Sequence, residues 1–563
     1  MAIFMLPDRF AYFRTTACQV LLIILLGGLV YSQTLHAPFE FDDFANIVDN
    51  EKLASLSTYL HSISWGTFSP KGRWLALATF AINKSLSTGD ITGFHIVNIL
   101  IHLTTAITVY FLTKITLATF GAEASRRYAL VPFLAALGFV LHPVQTQAVT
   151  YIVQRMTSLA TLFYLGTILL YALSFSTAAP STKSDTVRTR ALYPLALILS
   201  LLAISSKEIS VTLPVTIALY DFCFLSGSTK QRLTRLTPFA VIMLVMPLYL
   251  LGADAAVVSV THGGGSEQSR ALPRLTDLYT ESRVIVTYLR LLLLPIQQNF
   301  DYDYPVYDSL LQLPVLLSLT LICSLLWSAW RLLKISHAAT CRFPVLMRVS
   351  GYAICWFFIT LSIESVVVPL LDTIVEHRLY LPSVWFFIAG AFLVVELTVR
   401  APAAKKVVVT VTALLFMASG YATMQRNTVW RDFGTFWGDV VAKSPNKARA
   451  LSRLGKHYAD KLEPAKAIPL LERAIAINPG YAPSHYALGL ALAQRGDSQG
   501  ALLHYLMTAR LIPKSSKGWL EAARICMEEG NTADAARYFQ RAFDVEPNTL
   551  TAQERSWLMS VNR

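Results

Sequence analysis

Residues 17–50 read ACQVLLIILLGGLVYSQTLHAPFEFDDFANIVDN. Ala17–Tyr31 is almost wholly apolar and follows the basic residues Arg9 and Arg14. About 20 mostly apolar residues cross a bilayer. No small-x-small cleavage site is present, so the run reads as an uncleaved first membrane helix rather than a signal peptide. Just beyond it, where the chain emerges into water, Asp42 and Asp43 stand side by side between aromatic residues. A carboxylate pair at a membrane surface suits a general base, a metal ligand or a helix cap.

The rest of the chain has the same character. Of 563 residues, 54% are hydrophobic and 15% charged, against about 25% charged in a soluble protein, and the mean hydropathy is +0.48. This is the composition of a polytopic membrane protein. The net charge of +13 calls for no nucleic acid, because basic residues retained in cytoplasmic loops give the same excess. Six cysteines without a CxxC pair indicate neither a disulfide framework nor a zinc site.

The expected fold is all-α, a membrane bundle of about eleven spans at 17–35, 94–116, 128–146, 156–176, 191–206, 209–225, 236–253, 313–334, 347–368, 380–399 and 405–424. With the N-terminus inside, the inner loops collect basic clusters: Arg126 and Arg127; Lys183, Arg188 and Arg190; Lys230, Arg232 and Arg235; Lys334, Arg342 and Arg348; Arg400, Lys405 and Lys406. The assignment holds only if the short apolar stretch 283–296 does not cross. The outer loops then gather Asp42, Asp43, Lys71, Arg73, His142, Arg155, Lys207, Glu208, Asp301, Asp303, Glu364, Glu376, His377 and Arg378. Charges of both signs on one side of a bilayer point to a polar cavity open to that side.

Beyond the last span the pattern changes. Pro445, Pro479, Pro513 and Pro547 recur every 34 residues, the tetratricopeptide period. Repeats are expected at about 448–481, 482–515 and 516–549. Leu454, Gly455, Tyr458, Ala467, Ala474 and Pro479 mark the first, Leu488, Gly489, Leu492, Ala501 and Tyr505 the second, and Trp519, Ala535, Phe539, Ala542 and Pro547 the third. The boundaries expected are 1–427 for the membrane domain, with its first outer loop at 36–93, and 428–563 for the repeats, whose concave face binds protein.

An outward cavity with a carboxylate pair and several cations fits sugar transfer from a lipid-linked donor. Asp42 or Asp43 would take the proton of the attacking hydroxyl. Arg155, Lys207 and Arg378 would meet the charge of the leaving phosphate. Arg73, His142, Glu208, Asp301, Asp303, Glu376 and His377 would line the pocket. No GxxxxGK[ST] or GxGxxG loop is present, and a donor carried on lipid needs none. His95, His102 and His142 lack HExxH-type spacing, so no metal ligands are assigned, although a divalent ion stays open. FDYDYP at 300–305 lines the sugar pocket or caps a loop.

Several stretches together resemble the transmembrane and tetratricopeptide-repeat O-mannosyltransferases and their bacterial relatives among the C-type glycosyltransferases. They are FDDFANIVDN at 41–50, FHIVNILIH at 94–102, LHPVQTQAVTYIVQR at 141–155, SKEISVTLP at 206–214 and EHRLYLPS at 376–383, followed by the repeats. The resemblance implies a catalytic base within the first-loop acidic pair, with Asp42 preferred. It also implies a polyprenyl-phosphate sugar donor, a Ser or Thr acceptor on an exported protein, and repeats on the side of the active site. A single sequon at 83–85 leans towards a bacterial inner membrane with a periplasmic site and an undecaprenyl-type carrier. In a eukaryote the site would face the lumen of the endoplasmic reticulum. The rival readings are a lipid or surface-glycan acceptor and a non-catalytic repeat scaffold.

Overall fold

The computed structural model describes residues 15–62, 73–87, 90–176, 183–252, 274–338, 340–367 and 372–561; Lys71 lies outside them. Among the described residues the chain is helical and has no β-strand. It divides into two compact units. Of the described residues, the first takes those up to 298 and those from 305 to 431, and the second takes Asn299–Tyr304 and those from Asp432 onward.

In the first unit, α1 (Thr16–Tyr31) precedes a long loop, which carries α2 (Leu56–Ser62) and α3 (Trp74–Ser87). Then come α4 (Ile91–Ala118), α5 (Ala122–Arg127), α6 (Val131–Leu141), α7 (Thr146–Thr150), α8 (Arg155–Phe175), α9 (Lys183–Ile204), α10 (Leu213–Phe224) and α11 (Thr229–Gly252). The unit ends with α12 (Arg274–Leu293), α13 (Leu313–Ser336), α14 (Pro344–Ser362), α15 (Ser383–Arg400) and α16 (Lys405–Thr428). Among the described residues, seven helical segments are long and apolar enough to cross a membrane, those on α1, α4, α8, α13, α14, α15 and α16. The other four expected spans fall on α6, α9, α10 and α11, which are short or basic at their start. The stretch 283–296 falls largely on α12, whose Asp277, Glu281, Arg283 and Arg290 keep it out of the seven.

α6 is apolar on every face and all its residues are buried, the mark of a helix at the centre of a bundle. Around it pack α1, α4, α15 and α16. At 1.5 Å per residue it is only about 16 Å long. The chain continues beyond Leu141 through a turn at Pro143–Gln145, then α7, then a turn at Ile152–Gln154. Such a broken path leaves carbonyls outside any helix, and in a membrane protein these need partners from protein. Thr423 Oγ1 donates to Leu141 O at 2.6 Å and Gln298 Nε2 to Pro143 O at 3.0 Å. Asn98 Nδ2 serves both Val149 O at 3.0 Å and Ile152 O at 3.3 Å.

The second unit holds α17 (Phe433–Lys443), α18 (Ala448–Asp460), α19 (Pro464–Ile477), α20 (Ala482–Gln494), α21 (Ser498–Leu511), α22 (Lys517–Glu528), α23 (Thr532–Val545) and α24 (Ala552–Val561). Each 34-residue period carries one helical hairpin, α18–α19, α20–α21 and α22–α23. Asp432, Asp497 and Asn531 cap α17, α21 and α23 by accepting from Thr435 N, Gly500 N and Asp534 N. Small residues set the spacing between hairpins. A Cβ on Gly518 would meet Ala509 N at 2.6 Å and Tyr505 O at 2.7 Å, whereas one on Gly438 would meet nothing within 4 Å. Gly518→Ala should therefore destabilise the repeats by about 1–3 kcal/mol and Gly438→Ala should not, as read by protease resistance of the repeat unit on heating.

Candidate active site

The site begins with how the loop after α1 is held. Phe41 adopts a positive φ of 42°, strained for a bulky residue, and turns the chain so that Asp43 points inwards. Asp43 is 1% exposed. Its Oδ2 accepts the Glu40 N–H at 2.9 Å and its Oδ1 the Val153 N–H at 2.7 Å. Asp42 is half-buried. Its own N–H donates to Tyr151 Oη at 2.8 Å, and its carbonyl accepts from Asn46 Nδ2 at 2.8 Å. Farther along the loop, Lys84 Nζ holds Ile47 O at 2.8 Å and Val48 O at 3.1 Å.

Burial pushes the Asp43 carboxyl up to about 8 against the pull of its two backbone donors; the adjacent Asp42 pushes the same way and Arg155 pulls back. Two neighbouring carboxyls do not ionise together easily. The pair is thereby differentiated, with a buried Asp43 inclined to keep its proton and a more exposed Asp42.

The cations expected on a phosphate differ in where they sit. Arg155 is fully buried. Its Nε donates to Asn98 Oδ1 at 2.7 Å, Nη1 to Thr79 O at 3.2 Å and Nη2 to Phe94 O at 3.0 Å, with the guanidinium 4.5 Å from the Phe80 ring centroid. It clamps α3 and α4 to the start of α8. Lys207 Nζ pairs with Glu364 Oε1 at 2.6 Å and donates to Thr157 Oγ1 at 3.0 Å, with both side chains of the pair under 10% exposed. Arg378 lies 3.6 Å from Glu281 and donates to Thr373 O at 3.0 Å and Asp372 O at 2.7 Å. Arg73 forks onto Glu208, Nη2 to Oε1 at 2.7 Å and Nε to Oε2 at 3.3 Å, with a third of its side chain exposed. Burial alone would raise Glu208; Arg73 and Lys207 overcome this and hold it down to about 2.

These groups form one electrostatic neighbourhood. Arg73 feels Glu208, Glu364 and Asp42. His377 is driven well below its usual range by burial and then by Lys207, Arg378 and Arg73, so its imidazole is neutral. The His377 N–H donates to Gln147 Oε1 at 2.8 Å, while its Nδ1 has no hydrogen-bond partner. Glu376 is buried and accepts from Gln298 Nε2 at 2.7 Å. His142 stays beside α6, capping the next turn through Val144 N at 3.3 Å. His95 and His102 are buried on Ala37 O at 2.9 Å and Tyr380 Oη at 2.8 Å.

Asp301 and Asp303 both belong to the second unit, where Asp301 pairs with Arg449 and Asp303 has an exposed side chain. Among the described residues no group of three or more His, Cys, Asp or Glu is placed to hold a metal ion. The residues that sequence reasoning left out of the site are Tyr151, Asn98, Glu281 and Asp372; Glu364 is gathered with the outer charges but given no role. Tyr151 and Asn98 stand inside the quoted motifs, and that position was their only signal.

Against this geometry, the similarities of the chain can be placed. It is 23% identical over 544 residues to human "Protein O-mannosyl-transferase TMTC3", covering 90% of this chain and 56% of that protein. To human "Protein O-mannosyl-transferase TMTC4" it is 25% identical over 496 residues, covering 78% and 63%. To Caenorhabditis elegans "Protein O-mannosyl-transferase F38B6.6" it is 24% identical over 475 residues, covering 82% and 63%. The chain is a relative of the transmembrane and tetratricopeptide-repeat O-mannosyltransferases. It spans a little over half to just under two thirds of the length of these O-mannosyltransferase relatives. No family model matches it. A solved structure, "Crystal structure of APC/C hetero-tetramer Cut9-Hcn1", aligns over 91% of this chain and 99% of that chain at 16% identity with a TM-score of 0.23.

A carboxyl whose folded pKa lies above its unfolded one holds extra protons in the fold, so its contribution to stability is lost as pH rises. For Asp43 the window runs from 3.8 to about 8. Asp43→Asn should cost about 1–3 kcal/mol by facing an NH2 to one of the two backbone donors. It should also flatten the fall in thermal midpoint between pH 5 and 9, measured by scanning fluorimetry in detergent.

Proposed function

We propose that the chain is a membrane glycosyltransferase moving a single sugar from a polyprenyl-phosphate donor to Ser or Thr hydroxyls of exported proteins. Its acidic loop and repeats would face the periplasm, or the lumen in a eukaryotic membrane. The observation that carries the reading is the position of Asp42, half-exposed, anchored through its own backbone to Tyr151 and within electrostatic reach of Arg73. The names of the relatives support the reaction class, and the repeats support a protein acceptor.

In this scheme Asp42 takes the proton of the acceptor hydroxyl as its oxygen bonds to the anomeric carbon. The bond from that carbon to the phosphate oxygen breaks, and polyprenyl phosphate leaves with the electron pair. Arg73, the most exposed of the paired cations, meets that charge, with Lys207 and Arg378 behind it. The neutral His377, with a free ring nitrogen, suits a sugar hydroxyl better than a phosphate. Arg155 shapes the floor and Asp43 holds the loop. Holding both substrates at one surface supplies much of the advantage.

Asp42→Asn keeps the size of the side chain and removes the base. Sugar transfer from a polyprenyl-phosphate mannose donor to an acceptor peptide, read by mass, should fall roughly 10²–10⁴-fold, with the thermal midpoint unchanged. Unchanged transfer by folded Asp42→Asn protein would remove the base and turn the reading towards a scaffold.

A further inference from the structure

The segment Asn299–Tyr304, NFDYDY, lies between α12 and α13 in sequence but packs as part of the repeat unit. Its seat is the α17–α18 corner. Phe300 is buried edge-on against Phe436, with ring centroids 4.8 Å apart, and 6.0 Å from Trp437. Asp301 is 4% exposed and receives both arms of Arg449, Nε to Oδ2 at 2.7 Å and Nη2 to Oδ1 at 2.8 Å. Lys447 Nζ adds a contact to Asp301 Oδ1 at 3.3 Å and one to Tyr302 O at 3.3 Å. Ser444 Oγ accepts from Asn299 Nδ2 at 2.8 Å and from Asp303 N at 2.9 Å.

These contacts have the make-up of a recognition site. Asn299, Phe300 and Asp301 are buried and read through their side chains, whereas Asp303 is held by its backbone and leaves its carboxylate exposed. The forked Arg449–Asp301 pair demands a carboxylate at one position and the aromatic pocket demands a ring beside it. Lys447 and Arg449 bracket the start of α18, where the helix end also favours negative charge. Repeat arrays present surfaces of this kind to extended peptides.

We propose that the face made by Phe436, Trp437, Ser444, Lys447 and Arg449 is a peptide-recognition site selective for an extended segment in which an aromatic residue precedes aspartate. Asn299–Tyr304 is its built-in occupant. Acceptor proteins displaying the same pattern compete with it for the site. The acceptor role rests on the transfer reading, whereas the binding itself does not.

The test uses the full chain in detergent and a fluorescein-labelled Asn-Phe-Asp-Tyr-Asp-Tyr peptide followed by anisotropy. Phe300→Ala with Asp301→Ala vacates the site. Binding should be at least about tenfold tighter to the vacated chain than to wild type. It should be lost when Arg449→Ala is added, and weakened when the third residue of the peptide is changed to Asn. Should the double variant not fold, Asp301→Asn, which keeps the shape of the segment, is read the same way. A vacated chain that binds no better than wild type, or binding indifferent to Arg449→Ala, overturns the proposal. Sugar transfer need not be measured at any point, so this outcome is independent of the catalytic one.

Discussion

A carboxylate taken out of water must find donors or give up its charge. Asp43 meets this demand with two backbone N–H groups, one on its own loop and one on Val153, 110 residues away. That pair of bonds stitches the loop after α1 to the broken segment between α6 and α8. Two residues beyond Val153, Arg155 ties the same segment to Asn98, Thr79 and Phe94. The loop that carries Asp42 is therefore fixed by groups buried beneath it. Such underlying support is what keeps a reacting group within the narrow tolerances that catalysis requires.

The second constraint is charge. Three cations of the first unit assigned to the site have an acid facing them, Arg73 with Glu208, Lys207 with Glu364 and Arg378 with Glu281, whereas Arg155 is held by neutral acceptors. Buried ions need such pairing, because the cost of removing them from water is otherwise not offset. The pairing also grades them. Lys207–Glu364 is closed and dry, while Arg73–Glu208 is open to solvent on both sides. A phosphate arriving from the bilayer would find Arg73 the least costly cation to engage.

Much of this was legible in the sequence, for identifiable reasons. Apolar runs declare membrane helices, and the proline period declares the repeats. Asp42, Asp43, Arg155, Lys207, His377 and Arg378 stand inside short motifs that are visible before any coordinates. Other features depend on partners far away in the chain. The bond from Arg155 Nε to Asn98 joins residues 57 apart. The pairing of Asp301 with Arg449 of the first repeat joins residues 148 apart. Glu281 lies on the polar first half of α12, outside its apolar end, and the apolar run of α6 continues through the turn at Pro143, so its sequence reads as longer than the helix.

The central claim is that Asp42 is the base and Asp43 its support. Chemical rescue tests this most directly. Asp42→Ala and Asp43→Ala chains are assayed for sugar transfer with and without added formate, a small carboxylate able to enter a space left by the lost side chain. The account predicts that formate restores measurable transfer to Asp42→Ala and none to Asp43→Ala. Rescue of Asp43→Ala with Asp42→Ala unaffected would contradict it and move the base to the buried carboxyl.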